Sequence, residues 1–155
     1  MSLIENWKIK DFEVLTTAEL YLILKLRSEV FVVEQECAYL DADGKDEMAI
    51  HIFLNDKENC NAYARILDSG HYYDDYVCIG RVVIHPNQRG NHLAYKLIAQ
   101  SLKICSEKYP LKPIKISAQK HLQHFYEKCG FQYQGENYLE DGIPHCAMYH
   151  SVVEK

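Results

Sequence analysis

A chain of 155 residues, 48% apolar and 25% charged, is long enough to bury a core and has the balance of an ordinary globule. Its net charge of −5 comes without a basic stripe, which argues against a nucleic-acid partner, and no run approaches the roughly 18 apolar residues of a membrane span. The six cysteines are scattered with no CxxC pair, so reduced thiols in a cytoplasmic protein fit better than a disulfide framework or a zinc site.

The length predicts one domain over 1–155. Trp7–Phe12 reads as a first strand. Thr16 followed by Glu19 makes a capping box, opening a helix with Leu20, Ile23, Leu24, Val30 and Phe31 near the i, i+3, i+4 rhythm. Cys37–Asp46 is polar and acidic, hence a loop. Ala49–Leu54, Ala62–Leu67 and Val77–Ile84 follow as three strands with short connections. A long helix then carries a seam of Leu93, Leu97, Ser101 and Ile104, and Pro110 and Pro113 bracket its end. Ile114–Ala118 reads as a strand and His121–Cys129 as a short helix with Gly130 as its C′ residue. Phe131–Tyr138 and Cys146–Val153 close the chain, joined by the turn-rich Glu140–Pro144. No signal peptide, lipidation motif, repeat or linker is expected. The order β-α-β-β-β-α-β-α-β-β implies an α+β fold, a mixed sheet with helices packed on it.

Ile79–Ala94, IGRVVIHPNQRGNHLA, is the most informative stretch. A buried strand stops at Pro86, a short loop with Arg89 and Gly90 follows, and an amphipathic helix starts directly behind it. Such a helix start points unpaired backbone N–H groups at one spot, where the macrodipole also favours negative charge. That is an anion site made of main chain, suited to phosphate or pyrophosphate.

This element order, with that stretch at its centre and FYEKCGF (Phe125–Phe131) downstream, resembles the GNAT superfamily of acyl-CoA-dependent N-acetyltransferases. The segments LRSEVFVVEQECAYLDADGKDEMAIHI and ISAQKHLQHFYEKCGF, with YLEDGIPHCAM, narrow the resemblance to its ElaA-like branch. It spans about Arg27 to Met148. It implies a mostly antiparallel sheet of six to seven strands with two splayed central strands. It implies that acetyl-CoA is the cosubstrate, its pyrophosphate resting on Arg89, Gly90, Asn91, His92, Leu93 and Ala94. The pantetheine arm would slot between the strand ending at Ile84 and the strand Ile114–Ala118, pairing with main chain of Val82, Val83 and Ile84. The tyrosine of the FY-x-x-x-GF motif, Tyr126, would protonate the departing thiolate. One position departs from the family's Arg-x-x-Gly-x-Gly/Ala turn: His92 stands where the second glycine is usual. Histidine tolerates a positive φ better than most residues.

A tyrosine stays protonated at neutral pH, as the acid role requires; from spacing alone, Tyr126 reads equally as a core aromatic beside Phe125 and Phe131. Candidates for the acceptor's base are Glu34, His51, Glu140, Asp141 and His145, against the plainer reading of solvated acids and hydrogen-bonded histidines. Arg81 and Arg27 are read either as substrate contacts or as ion-pair partners of acidic residues on the first helix or its loop. Asp41-x-Asp43-Gly44-x-Asp46 imitates a calcium loop, but Gly44 comes too early and Ile52 stands where the bidentate Glu belongs. His121 and His124 lack a third ligand nearby, so no metal is expected, and Cys129 has no partner base.

The leading expectation is transfer of an acetyl group from acetyl-CoA directly to an amine acceptor, a small molecule or a peptide. The alternatives are an acyl-homoserine-lactone synthase-like enzyme, echoed by Arg27-Ser-Glu-Val30-Phe31, and a noncatalytic acyl-CoA-binding sensor. A homodimer through the C-terminal strands would be unsurprising.

Overall fold

Thr16 begins the first helix as expected. Its hydroxyl accepts from the Glu19 amide at 3.1 Å, and Glu19 Oε1 accepts from the Thr16 amide at 2.9 Å, so both halves of the capping box are made. The computed structural model describes residues 6–151. Its elements are β1 (Lys8–Asp11), α1 (Thr17–Arg27), β2 (Ile50–Asn55), β3 (Cys60–Leu67), β4 (Val77–Ile84), α2 (Leu93–Lys108), β5 (Ile114–Gln119), α3 (Gln123–Lys128), β6 (Gln132–Glu140) and β7 (Ile143–His150). The strands form one sheet in the order β1-β2-β3-β4-β5-β7-β6. β4 and β5 run parallel, while β1–β2, β5–β7 and β6–β7 are antiparallel. This is the GNAT acyl-CoA N-acyltransferase fold, with an open, mostly antiparallel sheet flanked by helices.

The chain divides into two compact units, 1–65 with 81–97 and 66–80 with 98–155. In the first, α1 is continued by a π-helical segment, Ser28–Glu34, whose wider turn is visible in bonds from the Gln35 amide to Val30 and from Cys37 to Val32. The expected single helix through Phe31 is corrected here, because the widening shifts which residues face inward. Ile23, Leu26 and Val30 are buried against Phe53, Cys60, Tyr63 and Val83, while Leu22 and Phe31 only partly join them.

In the second unit, β5 alternates buried Ile114, Ile116 and Ala118 with half-buried Lys115, Ser117 and Gln119. β7 lies opposite it in unbroken register from Ile114↔His150 to Gln119↔His145. β6 is the nearly bare edge, interrupted by a bulge between Tyr133 and Asn137, where Gly135 adopts φ +88°. The expected five-residue connection Glu140–Pro144 is corrected to a two-residue turn. Asp141 (φ +50°) and Gly142 (φ +78°) are both left-handed, so the strands run on to Glu140 and Ile143. Pro144 is accommodated in β7 because the β5 ladder has ended one position earlier, at His145. Val152 and Val153 of the expected last strand lie outside the described residues.

Candidate functional site

The loop leading into α2 is built by backbone chemistry. The His85 ring accepts from the Asn87 amide at 3.1 Å, and Pro86 starts the 3₁₀ turn Pro86–Gln88 with its φ already set. Gly90 at φ +86° and His92 at φ +58° then curl the chain so that α2 begins at Leu93. The His92 position does demand the left-handed region, and His92 occupies it. A Cβ on Gly90 would meet nothing within 4 Å, so conformation rather than crowding selects glycine there. Gly90, Asn91 and His92 are exposed, Leu93 is buried, and Ala94 is half-buried. Of the strand residues behind them, Val83 is buried and Val82 and Ile84 are half-buried. The first-turn amides of α2 leave the helix end towards this exposed loop.

Arg89 does not stand alone there. Its guanidinium makes a two-pronged ion pair with Glu34, with Nη2 2.7 Å from Oε2. That bond holds the Glu34 carboxyl below its usual range. Glu34 is therefore occupied by a cation within the first unit, which leaves no free base at this position.

His51 and Arg81 prove to belong to a buried ionic cluster. Arg27, fully buried, donates from Nε to Asp41 at 2.7 Å and from Nη1 to Asp46 at 2.7 Å. Arg65 forks onto Asp43 at 2.6 Å and 2.8 Å and also reaches Asp46 at 3.0 Å. Arg81, left-handed at φ +51° within β4, reaches Asp41 Oδ1 at 2.8 Å and the Asp41 carbonyl at 3.0 Å. The calcium-like run is thus an arginine-binding loop. Burial would raise the Asp43 and Asp46 carboxyls, but the guanidiniums outweigh it and hold both low. His51 lies at 0% exposure, hydrogen-bonded to the Tyr63 hydroxyl at 2.7 Å and the Asp46 carbonyl at 2.8 Å. Burial lowers its pKa. It is a satisfied core histidine, and Arg81 and Arg27 are structural ion-pair partners. The sequence reading missed Arg65; its only signal is a charge in the middle of an apolar strand.

In the second unit, FYEKCGF proves to be a helix terminator. The Phe131 amide bonds to the Tyr126 carbonyl at 3.0 Å and the Gly130 amide to Glu127 at 3.0 Å, with Gly130 at φ +97°. That is a Schellman motif, and Tyr126 and Phe131 make its apolar contact, edge to face at 5.8 Å. A Cβ on Gly130 would also meet His150 Nε2 at 3.2 Å. Tyr126 is 7% exposed, and its hydroxyl forms no hydrogen bond among the described residues. Burial, with a smaller contribution from the Cys129 thiol, pushes its pKa well up, so it holds its proton at any ordinary pH. Cys129 caps the helix, and burial moves its thiol up to about 11, away from nucleophilic use.

Glu140 and His145 are brought together across the tight turn. His145 Nε2 lies 3.4 Å from Glu140 Oε2, and its Nδ1 is 2.7 Å from the Ile143 carbonyl. A carbonyl only accepts, so Nδ1 carries the proton and Nε2 is the basic nitrogen. Tyr138 stacks on the ring at 6.2 Å and donates to Ser117 Oγ at 2.6 Å, which in turn donates to Glu140 Oε1 at 3.3 Å. Ser117 and Tyr138 were not foreseen; the Asp-Gly turn signal, extended by pairing, would have put Tyr138 opposite His145. His124 pairs with Glu127, and no cluster fit for a metal occurs among the described residues.

Comparison with known proteins bears on the same segments. The model of the acetyltransferase (GNAT) domain matches residues 25–152. Protein ElaA of Escherichia coli is 40% identical over 153 residues, covering 96% of this chain and 98% of its own. Its crystal structure matches with a TM-score of 0.87 at 39% identity, covering 94% and 99%. An acyl-CoA N-acyltransferase from Pseudomonas aeruginosa matches equally, with a TM-score of 0.87, 39% identity and the same coverage. An aminoglycoside 6'-N-acetyltransferase complexed with coenzyme A shares the fold, with a TM-score of 0.71 at 15% identity over 96% and 98%.

Proposed function

This chain belongs to the GNAT acetyltransferase family, and on that premise we propose that it moves an acetyl group from acetyl-CoA directly to an amine in a ternary complex. The observation that carries this is the loop at Gly90 and His92. Two left-handed residues in three positions bring the exposed loop directly into the start of α2, the end at which a helix offers its first amides to an anion such as pyrophosphate. The donor set fits the group: exposed main chain at Gly90, Asn91 and His92, with Arg89 beside it. When bound, acyl-CoA supplies the thioester carbonyl for attack and the thiolate that leaves.

The protein's own part is to position these groups and hold protons. Val82, Val83 and Ile84 offer the main chain along which the pantetheine arm runs. Tyr126 keeps its phenol protonated and directs no hydrogen bond elsewhere among the described residues, which suits a donor to the leaving sulfur. Its raised pKa makes complete transfer to a thiolate of pKa near ~8.5 uphill, so it serves mainly as a hydrogen-bond donor until the amine's proton completes the balance. On the acceptor side, His145 has its tautomer fixed by Ile143 and offers Nε2, with Glu140 beside it to stabilise an imidazolium. Glu140, His145 and Asp141 of the same turn remain as base candidates once Glu34 is assigned to its ion pair and His51 to the core. A cytoplasmic setting agrees with the reduced cysteines.

The test is a panel of amines incubated with acetyl-CoA while free thiol is followed, with acyl-carrier protein as the competing donor. Thiol release with at least one amine from acetyl-CoA is expected. Absence of any heat when coenzyme A is titrated in would overturn the assignment. Preference for the acyl-carrier donor would convert it to the lactone-synthase type.

A further inference from the structure

Lys115 places its ammonium among three tyrosine rings. Nζ lies 4.6 Å from the Tyr73 ring centroid, 5.6 Å from Tyr149 and 5.8 Å from Tyr76. All four residues are half-buried and all belong to the second unit. The ammonium makes no hydrogen bond or ion pair among the described residues, so ring faces alone hold it. That is unusual for lysine, which carries three strong donors and ordinarily keeps them in water or on an acceptor.

The rings are positioned without help from Lys115. The Tyr149 hydroxyl donates to Glu136, and the Tyr149 ring lies 5.5 Å from that of Tyr76 at 60°. Tyr73 is braced edge-on by Tyr72 at 4.9 Å. Tyr149 faces Lys115 directly across the β5–β7 ladder. The neighbourhood adds negative charge from carboxylates: Glu136 accepts from the Tyr149 hydroxyl, and Glu140, after burial and Cys78, is among the groups that push the Tyr73 pKa up. Three aromatic faces with carboxylates near and no acceptor in the middle attract a cation that cannot hydrogen-bond.

We propose that Tyr73, Tyr76 and Tyr149 form a binding site for the cationic head of an alkylammonium ligand, with Lys115 as an internal occupant that the ligand displaces. Displacement costs Lys115 only its ring contacts, and its half-exposed side chain has water to swing into. The identity of the natural ligand rests on the acyl-transfer reading: it is an amine acceptor carrying a second, fixed positive charge.

The test needs no acyl donor. Lys115→Met keeps the apolar stem and removes the charge. Choline and its neutral isostere 3,3-dimethylbutan-1-ol are titrated into the wild type and the variant by calorimetry. Lys115→Met is expected to bind choline about tenfold more tightly than the wild type does, and about tenfold more tightly than it binds the neutral alcohol. Adding Tyr149→Leu should abolish that binding. Equal affinity for the two ligands, or no choline binding by a cooperatively melting Lys115→Met, would overturn the site. Should that variant not fold, the wild type gives the answer by nuclear magnetic resonance. Saturating choline should move the Lys115 ε-methylene signal out of its ring-current shift, and a signal that stays put would refute displacement. A negative result here leaves acyl transfer standing, and an inactive enzyme that binds choline leaves this site standing.

Discussion

Glu34 and Arg89 are 55 residues apart in the chain and form a two-pronged ion pair at the mouth of α2, with Nη2 2.7 Å from Oε2. The carboxylate comes from the π-helical continuation of α1, the guanidinium from the loop proposed to hold the pyrophosphate. An anion arriving at the loop competes with Glu34 for Arg89.

Glu34→Gln therefore should free the guanidinium and strengthen coenzyme A binding. Both side chains are close to half exposed, so the gain is modest, roughly two- to fivefold in Kd. Calorimetric titration of coenzyme A at two salt concentrations checks this. Weaker binding by the variant would mean that Glu34 orients Arg89 rather than masking it.

Tyr126→Phe removes one hydroxyl that has no hydrogen bond to lose among the described residues. Its melting temperature should stay within a few degrees of the wild type, while kcat for thiol release falls on the order of 10²–10⁴. An unchanged kcat would reduce Tyr126 to the apolar half of the Schellman contact with Phe131.

Arg65→Met tests the ionic cluster. Asp43 and Asp46 would each lose a guanidinium in a largely buried setting, and Asp43 would keep Arg81, at 3.4 Å, and the Lys45 amide, at 3.1 Å. The expected loss is about 3–5 kcal/mol, seen as a lower urea midpoint with an unchanged m-value. A loss below about 1 kcal/mol would show that the loop 37–46 is held by other contacts.

Acid stability should carry the signature of Glu19. Burial pulls its carboxyl up, but the Thr16 amide, Lys10 and Lys8 outweigh burial and depress it from 4.5 to about 2. A depressed carboxyl contributes its full stability above pH 4.5 and loses it as pH falls towards 2. Unfolding free energy should decline across that window by about 2 kcal/mol more in the wild type than in Glu19→Gln, which lacks the capping carboxylate at every pH. Parallel pH profiles for the two proteins would refute it.

Much of the scaffold was legible in the residues because it obeys local rules. Thr16 and Glu19 sit three apart and cap each other; Gly130 ends α3 because only glycine enters the left-handed region there without strain; the apolar seam of α2 repeats every turn. The motif with Tyr126 and the turn with Arg89 and His92 were likewise readable, since each is contiguous.

Pairing across the chain was not readable. Arg65 chooses Asp43 across 22 positions, Glu34 chooses Arg89 across 55, and Lys115 turns from solvent to three tyrosines drawn from two segments. Sequence fixes which charges and rings exist and the period with which each element presents them. Which of them meet depends on how the strands come into register, and burial then makes each meeting strong, because an unpaired charge inside the protein costs far more than one in water.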